Sequence, residues 1–350
     1  MPPRIPAGVL GATGTVGQRF VERLAAHPWF FLAAVAASDR SEGKPYAEAA
    51  RWRLSSPLPD AVAGMTVASA REELPCRIVF SALDAAAARE VEPECARRGQ
   101  LVFSNASAHR MDDDVPLTIA EVNPDSLDLL ERQRSNRGWS GAIVTNGNCS
   151  TIFLAMALAP LHRAFGVEKV FVVTMQAVSG AGYPGVASLD ILGNVIPDIP
   201  EEGTKIERET AKILGTVRGR QSESAPIAIS AMTHRVAVED GHLEAVSVAL
   251  SRRASREQVE GAWEDFRGPE EVGKLPSAPA RPVVFLREAQ RPQPRRDVDR
   301  DDAMATVVGG LKPCPVLDWK FNALGHNTVR GAAGASILNA ELAVARGFLA

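Results

Sequence analysis

Long apolar runs are missing from this chain. No stretch of about 18 apolar residues is available to cross a bilayer, and Met1-Pro2-Pro3-Arg4-Ile5-Pro6 offers no apolar signal region of useful length. The expectation is a cytoplasmic protein with no membrane partner. Cysteine is scarce as well: Cys76, Cys95, Cys149 and Cys314 are the four in 350 residues. None forms a Cys-x-x-Cys pair or a Cys/His cluster with metal-ligand spacing, so no metal site is expected. Their scatter suits a reducing compartment without a disulfide framework. A large excess of charge of one sign is also absent. The net charge of −3 gives no sign of a nucleic-acid or anionic-membrane partner. No internal repeat or low-complexity segment occurs.

What is present is the composition of a soluble globular protein, 45% hydrophobic and 23% charged. A chain of this length is too long for one ordinary core, so two domains are expected. Near the N-terminus, the short apolar strand Ala7–Leu10 leads into Gly11-Ala12-Thr13-Gly14-Thr15-Val16-Gly17. Gln18 to Leu24 follow with helical periodicity. Strand, Gly-x-x-Gly-x-x-Gly and helix in this order form a dinucleotide-binding signature. The glycines allow a sharp turn and let a pyrophosphate approach a helix N-terminus. The second strand, Phe31–Ala37, ends in Ser38-Asp39-Arg40, where the adenosine ribose lies in such folds. Ser38 and Arg40 offer a hydroxyl and a guanidinium to a 2′-phosphate and so point to NADP, although Asp39 is the residue type that accompanies NAD.

Strands at Arg77–Leu83 and Gly99–Asn105 alternate with an Ala-rich helix, which predicts a doubly wound parallel sheet. Ser81 and Asn105 fall just past strand C-termini, the ligand side of that architecture. Arg110 reads as an exposed loop cation able to bind phosphate or carboxylate, or else to form a surface salt bridge.

The strand Gly141–Thr145 runs into Asn146-Gly147-Asn148-Cys149-Ser150-Thr151, then into the apolar Ile152–Leu158. Asn148 or Ser150 is a plausible N-cap, so Cys149 lies at or just before a helix N-terminus. The dipole there should lower the thiol pKa, and the free N–H groups can hold an oxyanion. The competing reading is a small, buried, inert cysteine. Downstream, Lys169–Val178 is a β-branched central strand of a second sheet. It enters Ser179-Gly180-Ala181-Gly182-Tyr183-Pro184-Gly185, either a plain turn or a loop close to a nicotinamide or substrate. Ile199–Thr210 starts a charged helix that reads by composition as solvated. His242 opens a strand after Asp240-Gly241; it is either structural or the acid/base that a thiolate enzyme needs. The small-residue helix near Gly331–Leu342 suits close packing, and Asn327 precedes it.

Taken together, GATGTVG, SNASAHRMDDDVPL, IAEVNPD, NGNCST, MQAVSGAGYPG, EEGTKIERETAKILG, RVAVEDGH, RPQPRRD and NTVRGAAGASILNAEL resemble the aspartate-β-semialdehyde dehydrogenase family, in its archaeal/fungal-like branch. The motifs cover nearly the whole chain in order. The resemblance implies an α/β fold with an N-terminal Rossmann-type sheet (1–148). An α+β catalytic and dimerisation domain (149–326) follows, and a C-terminal helix (327–350) returns to the first domain. It implies Cys149 as nucleophile, Gln176 orienting the acyl group and His242 as acid/base. Arg235 would grip the substrate carboxylate, with Arg110, Glu202 and Lys205 as further substrate contacts. Gly11, Thr13, Gly14, Thr15, Val16, Gly17, Ser38, Arg40, Ser81, Ser179, Gly180, Gly182 and Asn327 would line the NADP site. The reaction implied is reduction of 4-phospho-L-aspartate to L-aspartate 4-semialdehyde by a homodimer or homotetramer, serving synthesis of lysine, threonine, methionine and isoleucine. One departure is Gly147 where the family often has serine. Malonyl-CoA reductase, built on the same scaffold, and a non-catalytic NADP-sensing protein are the alternative readings.

Overall fold

The computed structural model describes residues 4–218 and 221–349. Two sheets organise it. The first contains β1 (Ile5–Leu10), β2 (Phe30–Ala37), β3 (Ala68–Ser69), β4 (Ile78–Ser81), β5 (Leu101–Ser104) and β6 (Ala142–Thr145). All are parallel, in the order β3-β2-β1-β4-β5-β6. This is the doubly wound dinucleotide-binding order. The strand order reverses between β1 and β4, where such sheets open a ligand crevice at the strand C-termini. β4, β5 and β6 are buried along their whole length, as expected of parallel strands covered on both faces.

The second sheet holds β7 (Val167–Gln176), β8 (Ile196–Pro197), β11 (Ala228–Arg235), β12 (His242–Leu250), β13 (Val283–Leu286), β14 (Thr306–Pro313) and β15 (Trp319–Gly325). Between β8 and β11 in the chain, β9 (Thr216–Arg218) and β10 (Gln221–Glu223) form a separate antiparallel hairpin. The order of the large sheet is β13-β14-β15-β12-β7-β11-β8. The central strand β12 alternates regularly in burial, so one of its faces packs on the core and the other is more open. The helix Cys149–Phe165 covers the inner face. It is apolar all round, and Ser150 to Leu161 are continuously buried, as the apolar run from Ile152 to Leu158 requires.

The C-terminal helix Gly334–Ala345 returns to the first domain. Ala333, Ile337, Leu338, Ala340, Leu342 and Ala343 share a core with Val9, Phe20, Phe80 and Phe103. Arg330, fully buried, reaches Glu121 through two parallel contacts of 2.8 and 2.9 Å and tethers the segment before this helix. Among the described residues no helix is long and apolar enough to cross a membrane.

Candidate active site

Cys149 is the first residue of its helix. The N-cap is Asn148, whose side-chain oxygen accepts from the backbone N–H groups of Ser150 and Thr151 at 3.0 and 3.3 Å. The same amide donates to Glu202 at 2.6 Å, and the backbone N–H of Asn148 donates to Glu209 at 2.6 Å. The turn before the sulfur is therefore held from both its side chain and its backbone.

Strand register brings the other groups to this point. Arg235 ends β11 directly beside Gln176, which ends the parallel strand β7. β12 runs antiparallel to β7, so its first residue, His242, starts at the same end of the sheet. The ring of Phe153, one helical turn from Cys149, meets His242 edge-on with centroids 6.3 Å apart. The Gly180 backbone packs so closely that a Cβ there would lie 2.9 Å from Arg235 Nη1 and 3.0 Å from His242 Nε2, which is why only glycine fits. Gly331 approaches from the other side, where a Cβ would sit 2.7 Å from that of Cys149.

The electrostatics revise one expectation. The helix N-terminus, Arg110 and Arg235 do favour thiolate, but burial and the nearby Glu202 outweigh them and push the Cys149 thiol up to about 12. The expected lowered pKa does not hold in this state. His242 is held neutral, well below its usual value, by burial and by Arg235 and His326. Its Nδ1 accepts the Ala177 N–H at 3.0 Å, which leaves the ring proton on Nε2, a buried atom without a partner among the described residues.

Arg110 is buried, not an exposed loop cation. It donates to Glu209 at 3.0 Å and to the Asn105 carbonyl at 2.6 Å, while its Nε has no partner among the described residues. The Glu202–Ile213 helix is likewise not a solvated face. Glu202, Glu209 and Lys212 are buried with Ile206 and Ile213. Lys205 is half-buried, 3.5 Å from Glu202. Glu209 joins Arg110 to the turn before Cys149. Lys212 donates to the carbonyls of Arg110, Asp112 and Val115 at 2.8, 2.8 and 3.2 Å, and burial lowers its pKa to about 8. Sequence reasoning passed over Glu209 and Lys212. The available signal for Glu209 was its helical spacing from Ile206 and Ile213, which puts it on the apolar face; Lys212, adjacent to Ile213, carried no such signal.

At the dinucleotide signature, Gly11 has φ of +71° and its missing Cβ would clash with the Ala82 carbonyl at 2.6 Å. The helix Thr15–Ala25 has Gly14 as its N-cap and no side-chain cap, so its first N–H groups are free for an anion. Thr13 lends its carbonyl to Gln18, and Val16 packs against the first core. Gly17 is buried against Gly11 and Ala12. Ser38 and Arg40 are exposed at the end of β2. Ser81 is wholly buried, with its hydroxyl enclosed near Glu92. A cleft of about 1000 Å³ borders Thr15, Arg53, Ser179, Gly182, Tyr183 and Asp240, and so joins the two domains. Asn327 links two loops beside it, donating to Ser179 Oγ at 2.8 Å and accepting the Gly241 N–H at 2.9 Å. No group of His, Cys, Asp and Glu able to hold a metal occurs among the described residues.

Residues 6–130 match the family model described as semialdehyde dehydrogenase, NAD binding domain, and residues 158–330 match that of the semialdehyde dehydrogenase dimerisation domain. An aspartate-semialdehyde dehydrogenase of Archaeoglobus fulgidus is 50% identical over 342 residues, 97% of this chain and 98% of that protein. The chain belongs to the aspartate-semialdehyde dehydrogenase family. A second member, from Cryptococcus neoformans, is 46% identical over 360 residues and 99% of both chains. The crystal structure of a Candida albicans aspartate-semialdehyde dehydrogenase with NADP superposes with a TM-score of 0.89. It has 37% identity, covering 98% of this chain and 99% of that one. These matches agree with the expected family and with the expected fold of a parallel-sheet nucleotide domain followed by a dimerisation domain.

Proposed function

We propose that this chain catalyses the reversible, phosphate-dependent interconversion of 4-phospho-L-aspartate and L-aspartate 4-semialdehyde, with NADPH as reductant, through a thioester on Cys149. In the cell this step would serve synthesis of lysine, threonine, methionine and isoleucine. The observation that carries the reading is the convergence of Gln176, Arg235 and His242 at one end of three adjacent strands, beside the turn that starts with Asn148 and Cys149. Full-length similarity to aspartate-semialdehyde dehydrogenases favours this substrate over malonyl-CoA. A chain that merely sensed NADP would not need these side chains together.

The fit to NADP rests on the uncapped helix after Gly14, the close glycines, and the exposed Ser38 and Arg40. When bound, NADPH supplies the hydride for reduction of the thioester. The remaining work belongs to the chain. The Arg235 guanidinium clamps the substrate α-carboxylate, and Glu202 faces its amino group. Arg110 and Lys205 receive the phosphate. Cys149 attacks the acyl carbon with a backbone N–H at the helix start facing the oxyanion, and the departing phosphate carries away the thiol proton. His242 donates a hydrogen bond from its Nε2–H to the oxyanion of the tetrahedral adduct, which collapses to the aldehyde and the Cys149 thiolate. Gln176 orients the acyl group. Asn327 holds the Ser179 loop against the 240–241 turn on the nicotinamide side.

The exposed Phe171 and Met232, with Leu189, Leu192 and Val195 beyond the sheet, support assembly as a homodimer or a dimer of dimers. Four unpaired cysteines support a reducing cytoplasmic setting. The test is reduction of NADP, and separately of NAD, with L-aspartate semialdehyde. Turnover should require inorganic phosphate, favour NADP and fall by orders of magnitude in Cys149→Ser. Phosphate-independent turnover, or a preference for malonyl-CoA in the reductive direction, would overturn the assignment.

A further inference from the structure

Beneath the site lies a carboxyl group that this reaction leaves unused. Glu244 stands on β12 two residues beyond His242, so both side chains leave the strand on the same face. Its cross-strand neighbours are Thr174 on β7 and Ala323 on β15. Glu244 is wholly buried, and neither carboxyl oxygen has a well-aligned hydrogen-bond partner among the described residues. The Ser150 hydroxyl bears on it. That oxygen is also buried and otherwise unpartnered. Ser150 follows Cys149 in the first turn of the helix. Thr174, opposite Glu244, accepts the Gln176 amide at 3.4 Å. A polar strip of Ser150, Glu244, Thr174 and Gln176 thus crosses the otherwise apolar contact between helix and sheet, with the nucleophile's turn at one end and the acyl-orienting glutamine at the other.

A carboxylate fully out of water and without a cation beside it is costly, so the group takes up a proton instead. Burial accordingly holds Glu244 well above the usual carboxylate range, opposed only by the Ser150 hydroxyl. A carboxylic acid, unlike a carboxylate, can donate as well as accept. Donor and acceptor are what a group between two hydroxyls needs, and a neutral group adds no negative charge near a sulfur that must become thiolate.

We propose that Glu244 is a positioning residue, present as an uncharged carboxylic acid that joins Ser150 to Thr174 and thereby fixes the Cys149 turn relative to His242 and Gln176. The inference rests on Cys149 being the nucleophile and concerns how it is held.

The experiment compares wild type, Glu244→Gln and Glu244→Met in the full-length chain. The infrared spectrum of the wild type at neutral pH should contain a protonated-carboxyl band that Glu244→Gln lacks. Glutamine, neutral and able to donate and accept, should keep kcat within about threefold of wild type. Methionine, similar in length but without polar atoms, should lower kcat about tenfold or more with KM for the semialdehyde little changed. It should also slow alkylation of Cys149 by iodoacetamide at about pH 9. Absence of the band, or loss of kcat in Glu244→Gln as large as in Glu244→Met, would overturn the proposal. Full activity and full alkylation rate in Glu244→Met would overturn it too. The infrared and alkylation readings need no substrate. A wild type inert toward L-aspartate semialdehyde would therefore refute the reaction while leaving these two measurements to decide on Glu244.

Discussion

A thiol at a helix N-terminus is ordinarily a stronger acid than free cysteine, yet Cys149 is a weaker one. The dipole and two guanidiniums act on it, but burial and the Glu202 carboxylate act harder. Reactivity toward iodoacetamide should therefore be low at pH 7 and climb roughly tenfold per pH unit to pH 10 without a plateau, since the thiolate fraction keeps rising below a pKa of about 12. Rates followed by mass spectrometry across that range check this, and a plateau near pH 7 would contradict it. A different residue carries an acid-side prediction. Asp297 is fully buried, and although burial alone would raise its pKa, hydrogen bonds from Arg291, the Gln293 backbone and Arg300 lower it to about 2. A carboxyl lowered in the folded state adds stability above its unfolded pKa and loses it as pH falls toward the folded one. Asp297→Asn should thus cost on the order of 2 kcal/mol at neutral pH, with the gap to wild type closing between about pH 4 and pH 2. Urea unfolding at several pH values measures it.

At the scale of elements, the Cys149–Phe165 helix is set by its cap. Asn148→Ala removes two capping bonds and the donor that Glu202 accepts from. It should cost about 1–2 kcal/mol of stability and lower kcat more than KM, because the turn carries Cys149, the proposed nucleophile; urea unfolding and steady-state kinetics test both. The start of this helix was readable from Asn148 and the apolar run behind it, as were the Gly-rich turn and the alternation that built the first sheet. The surroundings of Arg110 and Glu202 were less legible. A charged side chain looks solvated in a list of residues. Whether it is buried depends on which partner the tertiary fold brings, and Arg110 and Glu209 are far apart in the chain. Periodicity could place Glu209 on the apolar face of its helix, but it could not reveal that Glu202, Glu209 and Lys212 grip two loops. The same holds for Glu244, whose place on a regular half-buried strand gives no hint that its neighbours are hydroxyls.

For the molecule as a whole, two contacts set how the parts hold together. The fully buried pair of Arg330 and Glu121 joins the segment before the last helix to the first domain. Arg330→Leu should destabilise by about 3–5 kcal/mol by stranding a buried carboxylate, whereas Arg330→Leu with Glu121→Leu should recover much of the loss. Chemical unfolding of the three variants gives the coupling. On the open face of the second sheet, Phe171→Asp with Met232→Asp should lower the mass seen by sedimentation equilibrium while leaving the far-ultraviolet circular dichroism unchanged; an unchanged mass would place the assembly surface elsewhere.

The return of the Gly334–Ala345 helix has a consequence for how the protein is made. The second domain is in effect an insertion into the first, whose core is completed by Ile337, Leu338, Leu342 and Ala343. During synthesis, at about 5–20 residues per second, the nucleotide-binding sheet leaves the ribosome early but stays open on one face until the Gly334–Ala345 helix has been added. The catalytic domain therefore has time to fold before the first domain closes. A nascent chain released before Gly334 would carry a finished catalytic domain attached to an unfinished partner, so the domain that begins the sequence is the last to be completed.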